Sequence, residues 1–238
     1  MSKDFIIIIP GCPSEMLQKM VDCSISNHDY TIVKNIDNIN NLRDKYILFA
    51  VELGDSGINV ELYKILEKIK LSGSDFLKGS VGAIFTHSNN ELYTRAIARQ
   101  IIFYANMAGC IFPGRPLVEA TGSLKNFSTF KKIYDMEYYD ICLKSCTVLV
   151  ERLLSFFTTP IKNPEILVLH ASNWKTSNTL MLWNLIKQNI KCEKIKEIHI
   201  ENGTVVDCKG CSYKMCKHYA AQTNCFYGGI MVEEIYPS

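Results

Sequence analysis

Short apolar runs alternate with stretches of helical periodicity along most of the chain. Continuous runs rich in β-branched residues predict buried strands at residues 5–9, 46–51, 79–85 and 166–169, and shorter strands at 30–33 and 196–200. Apolar positions three and four residues apart predict helices at 14–24, 58–69, 91–108 and 131–157. Ser14 is placed to cap the first of these helices, and Gly109 to end the third.

The order of these elements predicts an α/β protein. Strands that alternate with helices favour a doubly wound parallel sheet covered on both faces. Residues 1–160 contain enough elements for one complete domain. After Pro164 the pattern of strand, loop and helix begins again, and residues 161–238 amount to about half of a second unit of the roughly 150-residue size. We therefore expect a complete domain followed by a truncated repeat. Either the working protein is longer, or the half-unit is completed by structure from the first domain or from a second chain.

A polar loop joins the strand at 166–169 to the next helix, in which Leu182, Leu185, Ile186 and Ile190 share one face. Free N–H groups and the positive dipole end favour an anion at a helix start, and small hydroxyls add donors. The candidate phosphate ligands in this loop are Ser172, Lys175, Thr176, Ser177, Asn178 and Thr179. The spacing fits a phosphate-binding loop and an ordinary Ser- or Thr-capped turn about equally.

The same loop resembles that of the flavodoxin-like NAD(P)H-dependent FMN reductases. That family has Gly-Ser-x-Arg-x-x-Gly-Asn-Thr after its first strand, and this chain has Ala-Ser-Asn-Trp-Lys-Thr-Ser-Asn-Thr at residues 171–179. Ser172, Asn178 and Thr179 match directly. Ala171 and Ser177 replace glycines, and a tryptophan at 174 stands where a basic residue is common, with Lys175 beside it to supply the charge.

The resemblance implies a flavodoxin-like fold for both units and FMN bound through its phosphate to the loop at 171–179. It further implies NAD(P)H as co-substrate, a small-molecule redox acceptor such as a flavin or quinone, and a homo-oligomer, here a dimer. Residues 93–94, 106–110 and 114–119 resemble a module that precedes some clostridial-type flavin reductases. The turn at residues 11–14 parallels the FMN loop but lacks its hydroxyls and cation, so we expect no phosphate site there.

Composition and charge exclude several other classes. A net charge of +2 and the lack of a basic run give no electrostatic case for nucleic acid. No apolar stretch approaches the roughly 20 residues that a membrane span needs. The apolar run at residues 5–9 is too short for a signal-peptide core, and Asp4 stands where positive charge belongs. We therefore expect a cytoplasmic protein with no membrane partner.

Four of the ten cysteines, Cys208, Cys211, Cys216 and Cys225, fall within eighteen residues. Thiolates at such spacing can hold a [4Fe–4S] cluster, although the usual run has about two residues between the second and third cysteines and this chain has four. A zinc site is a second interpretation, with one Cys-x-x-Cys half-site present. A redox disulfide and reduced thiols packed beside the flavin loop complete the alternatives.

The leading hypothesis from the sequence is an FMN-dependent oxidoreductase, in which the cofactor supplies the redox chemistry and no catalytic acid or base is assigned. An iron–sulfur or flavin electron-transfer protein and a non-catalytic flavodoxin-like scaffold or dimerisation module are the alternatives. His170 is expected to have a packing role. His87 has no serine, cysteine or aspartate partner in the sequence pattern to form a nucleophilic site, and Arg115 is suited either to an anion or to an ion pair with Glu119.

Overall fold

The computed structural model describes residues 3–25, 28–35, 41–157, 163–172, 177–200, 205, 209–222 and 224–235, apart from the side chain of residue 132. The chain divides into two compact units, Met1–Phe157 and Thr158–Ser238. The identification of residues 1–160 as a complete domain and of 161–238 as half of one stays a prediction. No helix among the described residues has both the length and the apolarity to cross a membrane.

The first unit is built around a five-stranded parallel sheet. Its elements are β1 (Phe5–Ile8), α1 (Glu15–Ile25), β2 (Thr31–Val33), β3 (Tyr46–Leu53), α2 (Val60–Leu71), β4 (Val81–Ser88), α3 (Thr94–Met107), β5 (Leu117–Ala120), α4 (Ser128–Tyr134) and α5 (Tyr138–Ser155). The strand order is β2-β1-β3-β4-β5, and every neighbouring pair is parallel. This is the flavodoxin-like order, and it confirms the α/β fold class.

Alternate residues of each strand supply the cores on the two faces of this sheet. Ile7, Leu48 and Phe85 pack with α1 and α5 on one face, while Ile8 and Phe49 pack with α2 and α3 on the other. A strand buried on both faces needs apolar side chains at every position, which is why the runs at β1, β3 and β4 are continuous rather than alternating. The helices therefore cover both faces, as predicted.

Several observed elements of the first unit differ from the predicted ones. Residues 117–120, for which no strand is predicted, form β5, which pairs in parallel with β4. The predicted helix at 131–157 is interrupted at Asp135, whose φ of 50° is left-handed, so it forms the two helices α4 and α5. Ile58 was predicted to begin the apolar stripe of α2 but precedes that helix and is 52% exposed.

The second unit contains one parallel strand–helix–strand repeat. Its elements are β6 (Glu165–His170), α6 (Asn178–Asn189), β7 (Lys194–His199) and α7 (Tyr213–Ala220), with a π-helical turn at Met231–Ile235. β6 pairs with β7 in parallel. The side chains of this unit are less buried than those of the first. Leu182 and Leu185, on the predicted apolar face of α6, are 58% and 60% exposed.

Candidate functional site

The carboxyl ends of β1 and β3 form the topological switch point of the first unit. These strands are neighbours in the sheet, yet the helices that follow them, α1 and α2, pack on opposite faces. The two loops therefore separate at the sheet edge and leave a crevice between them. In open parallel sheets of this kind, ligands bind at such a crevice.

Three polar side chains meet in this crevice. Ser14 lies in the loop after β1, Glu52 is near the end of β3, and His87 is near the end of β4. Glu52 Oε2 lies 2.6 Å from Ser14 Oγ, Glu52 Oε1 lies 2.7 Å from His87 Nδ1, and Ser14 Oγ lies 3.0 Å from the same ring nitrogen. Because β3 and β4 are parallel and in register, Glu52 and His87 are direct partners across the ladder.

The chemistry of the carboxylate assigns the protons of this network. A carboxylate only accepts hydrogen bonds, so the Ser14 hydroxyl donates to Oε2 and the His87 Nδ1–H donates to Oε1. In a Ser–His–acid triad, the serine and the acid contact opposite nitrogens of the imidazole. Here both contact Nδ1, which carries a proton and cannot accept the serine proton. His87 thus has a serine neighbour that the sequence pattern did not reveal, but the geometry activates no nucleophile.

The Glu52 carboxylate also occupies the start of α1. Ser14 caps this helix, because its Oγ accepts a hydrogen bond from Leu17 N at 3.2 Å, and the predicted cap is confirmed. The Ser14 backbone N–H donates to Glu52 Oε2 at 3.3 Å. Burial alone would raise the pKa of the Glu52 carboxyl, but the hydrogen bonds from His87 and Ser14 outweigh that effect and hold the pKa below its usual value. Glu52 is therefore a stable anion at the helix N-terminus.

Asn59 ties the two walls of the crevice together. Its Oδ1 accepts from Leu62 N at 2.8 Å and caps α2, while its Nδ2 donates to the carbonyls of Pro10 at 3.1 Å and Glu52 at 2.8 Å. One side chain thereby caps a helix and supplies hydrogen bonds to two backbone carbonyls. This residue was not identified from the sequence, and an Asn just before an apolar helical stripe is the signal that could have found it.

In the second unit, β6 ends at His170 and α6 begins at Asn178, which confirms the predicted strand and helix on either side of the loop. Ser177 is the N-cap, and its Oγ accepts from Leu180 N at 3.2 Å. Asn178 and Thr179 lie exposed in the first turn, and their backbone N–H groups donate no hydrogen bond within the described ranges. Ser172 is half-buried after β6, whereas Lys175 and Thr176 lie outside the described residues.

The two helix starts differ in charge. The first turn of α6 contains no acidic residue, whereas α1 has Glu15 in its first turn and the Glu52 carboxylate on its N-cap. Two unit charges 4 Å apart interact by about 4 kcal/mol at an effective dielectric constant of 20. A phosphate placed at α1 would meet that repulsion. The first turn of α6 contributes no such charge.

The other residues singled out from the sequence have packing or ion-pair roles. His170 is buried and its ring stacks on that of His199, with 4.9 Å between the centroids. Glu119 forms its ion pair with Arg95 and accepts a hydrogen bond from Thr94 Oγ1 at 3.1 Å. The expected alternative pairing of Arg115 with Glu119 is therefore not formed.

The described cysteines of the predicted cluster line one small pocket. Cys211, Cys216 and Cys225 border a cavity of about 260 Å³, and their thiols are unbridged. Cys211 precedes α7 and Cys216 lies in its first turns, so a helix accounts for the four residues between them. Among the described residues, no three His, Cys, Asp or Glu side chains are placed to hold one metal ion. Cys208 lies outside those residues, and the metal site stays a prediction.

Comparisons with known proteins show no family for this chain. No family model matches the sequence, and no curated protein matches it. A short-chain flavodoxin associated with a non-canonical PDU bacterial microcompartment is 11% identical over 65% of this chain and 97% of its own, with a TM-score of 0.44. The Streptococcus pneumonia TIGR4 flavodoxin is 9% identical over 63% and 97%, with a TM-score of 0.44.

Flavodoxin 1 from Bacillus cereus is 11% identical over 65% of this chain and 100% of its own, with a TM-score of 0.43. The flavodoxin-like fold of the first unit follows from its strand order, β2-β1-β3-β4-β5, independently of these similarities.

Proposed function

We propose that this protein is an FMN-binding oxidoreductase that passes hydride or electrons from NAD(P)H to a flavin, a quinone or another small electrophilic acceptor. The observation that carries the proposal is the difference between the two helix starts. The chain's own Glu52 carboxylate accepts a hydrogen bond at the start of α1, whereas the first turn of α6 has no acidic residue and, within the described ranges, its first N–H groups donate no hydrogen bond. The proposed FMN phosphate site is therefore the loop before α6.

The donors at α6 fit a phosphate group. The backbone N–H groups of Asn178 and Thr179 point out of the helix start, where the dipole favours an anion. The Ser177 oxygen is used as a cap, but its hydroxyl proton remains able to donate. Ser172 adds a second hydroxyl on the strand side of the loop. Lys175 and Thr176, which the resemblance places in the same site, complete the proposed ligand set.

The cofactor supplies hydride and electron transfer when bound, and the protein residues bind and orient it. In this account the Ser14–Glu52–His87 network has a structural role in the first unit. It satisfies the start of α1, fixes the ends of β3 and β4, and excludes a phosphate from the switch-point crevice. The first unit would then contribute to the protein as a scaffold rather than as a second flavin site.

Reconstitution with FMN tests the proposal. The purified chain is incubated with FMN, separated from free cofactor by gel filtration, and examined by absorption. Retention of a flavin band supports the proposal, and anaerobic bleaching of that band by NADH or NADPH identifies the donor. A protein that emerges without flavin at FMN concentrations well above the micromolar range contradicts it.

Homo-oligomerisation belongs to the same proposal. Met181, Leu182 and Leu185 form an exposed apolar strip on α6, at 65%, 58% and 60% exposure in the single chain. Exposed apolar patches of this kind are typical of protein contacts. Light scattering coupled to gel filtration gives the mass directly, and a mass of one 27.1 kDa chain would exclude the proposed oligomer.

A further inference from the structure

The first unit contains a second cavity, away from the switch-point crevice. It has a volume of about 320 Å³ and lies among α3, the edge strand β5, α4 and α5. None of Ser14, Glu52 and His87 lines it. A volume of this size is at the small end of the range for small-molecule sites, which begins at about 300 Å³.

Basic side chains dominate the polar lining of this cavity. Arg115 enters from the loop before β5, and Lys144 and Arg152 lie eight residues apart on one face of α5. None of the three forms an ion pair within the part of the chain that the structure describes. The Arg95–Glu119 pair also borders the cavity, and it is neutral as a pair. Three cationic side chains therefore line the cavity without an ion pair among the described residues, in a protein whose net charge is only +2.

Arg152 contains a buried donor that is not satisfied by a hydrogen bond within the described ranges. Its Nη2 donates to the backbone carbonyl of Arg115, which brings the two cationic residues together. Its Nε is buried and has no hydrogen-bond partner within the described ranges. Leaving a buried donor without an acceptor is unfavourable, and more so for a charged group. An anion in the cavity would supply acceptors for these cationic donors.

One wall of the cavity is aromatic. The rings of Phe130 and Tyr134, one turn apart on α4, lie nearly parallel, with 3° between their planes and 6.2 Å between their centroids. The Lys144 ammonium lies 4.5 Å from the centre of the Tyr134 ring, so a cation and an aromatic face adjoin each other. Val148 and Leu149 add apolar surface. This lining suits a ligand with an anionic group and a planar or apolar body.

We propose that this cavity binds a small phosphomonoester that carries a planar or apolar body. A phosphomonoester has a charge of about −1.5 to −2 near neutral pH, which matches several cations better than a monoanion does. The Arg guanidinium groups present paired N–H donors suited to phosphate oxygens. The site goes beyond the proposed FMN site and does not depend on it, because its residues belong to the first unit alone.

Calorimetric titration of the full chain with phenyl phosphate tests the proposal. Phenyl sulfate has the same body and a single charge, and inorganic phosphate has the charge without the body. The proposal predicts saturable binding of phenyl phosphate, with at least about tenfold weaker binding of the other two probes. Arg152→Gln and Lys144→Gln each remove one charged donor. Each variant should bind phenyl phosphate about 10- to 100-fold more weakly than the wild type.

The controls separate this site from general charge effects and from loss of the fold. Lys144 is exposed, so its substitution leaves the core of the unit intact. Arg99→Gln removes the same charge from an exposed position of α3 outside the cavity and should leave binding unchanged. The absence of saturable phenyl phosphate binding, or equal binding in Lys144→Gln and Arg99→Gln, would overturn the proposal. Loss of FMN retention with phenyl phosphate binding intact would count against the FMN site alone.

Discussion

Glu52 and His87 are register partners at the carboxyl ends of β3 and β4, with 2.7 Å between Glu52 Oε1 and His87 Nδ1. The other carboxylate oxygen accepts from both the hydroxyl and the backbone N–H of Ser14. This pair therefore places a carboxylate of the chain's own at the switch-point crevice, against the start of α1. For this reason the proposed FMN phosphate site lies at α6 rather than at α1.

The Glu52 carboxylate should stabilise the first unit in a pH-dependent way. Its pKa is held below the ordinary value of 4.5 in the folded state, so its contribution is complete above that value and is lost as the pH falls through the folded pKa. The free energy of unfolding should therefore fall as the pH drops below about 4.5, and fall less steeply in Glu52→Gln. Urea unfolding followed by circular dichroism at several pH values measures both slopes. Equal slopes would contradict the assignment.

Glu52→Ala removes the acceptor for Ser14 and His87 together. We expect a loss of about 1–3 kcal/mol in the stability of the first unit, because partly buried donors are left unpaired. Both tryptophans, at 174 and 183, belong to the second unit, so their fluorescence reports on that unit separately. The circular dichroism transition should shift to lower urea. A tryptophan transition that shifts while the circular dichroism transition does not would contradict this location of the network.

Substitution of Asn59 should lower the stability of the first unit by more than the loss of an ordinary helix cap does. Asn59→Ala removes the cap of α2 and the two hydrogen bonds to Pro10 and Glu52, and a lost cap alone costs about 0.5–2 kcal/mol. Asn59→Asp is the matched control, because it keeps the capping acceptor and loses both donors. We expect stability in the order wild type, Asp variant, Ala variant. Equal stability of wild type and the Asp variant would show that the two donated bonds contribute nothing measurable.

The cysteine thiols of the first unit should differ in their reactivity towards alkylating agents. Burial raises the pKa of Cys110 to about 12 and raises that of Cys146 well above its usual value. The hydrogen bond from Cys146, by contrast, lowers the pKa of the half-exposed Cys23. Since the thiolate is the reactive form, Cys23 should be alkylated at pH 8 at least about 100-fold faster than Cys110. Timed iodoacetamide labelling with peptide mass mapping gives the rates, and comparable rates would contradict the prediction.

Part of the fold could be predicted from local pattern. β1, β3 and β4 are buried on both faces, and continuous apolar runs indicate such strands directly. β5 was missed because it is a four-residue edge strand that contains Glu119 and follows a glycine–proline segment. α7 was not predicted, because the cysteine spacing of its segment suggests a metal or redox motif. Ser212 at the N-cap position is the signal that indicates a helix there.

The polar network of Ser14, Glu52 and His87 could not be predicted from the sequence. Ser14 and Glu52 are 38 residues apart, and Glu52 and His87 are 35 residues apart, so no local motif connects them. They meet because β1, β3 and β4 are neighbours and end at one edge of the sheet, which only the strand order and register determine. That the loop at residues 11–14 has no phosphate role stays a prediction, and nothing in the sequence indicated the Glu52 carboxylate at the start of α1.

The most direct test of this account is the dissociation constant of FMN, measured by flavin fluorescence quenching in matched variants. Thr179→Glu places a carboxylate in the first turn of α6, where it favours the helix and repels a phosphate. Thr179→Gln is its neutral control, and Glu52→Gln removes the anion at α1. We predict at least about tenfold weaker binding in Thr179→Glu than in Thr179→Gln, and unchanged binding in Glu52→Gln. Equal binding in the two Thr179 variants, or tighter binding in Glu52→Gln, would contradict the location of the phosphate site at α6.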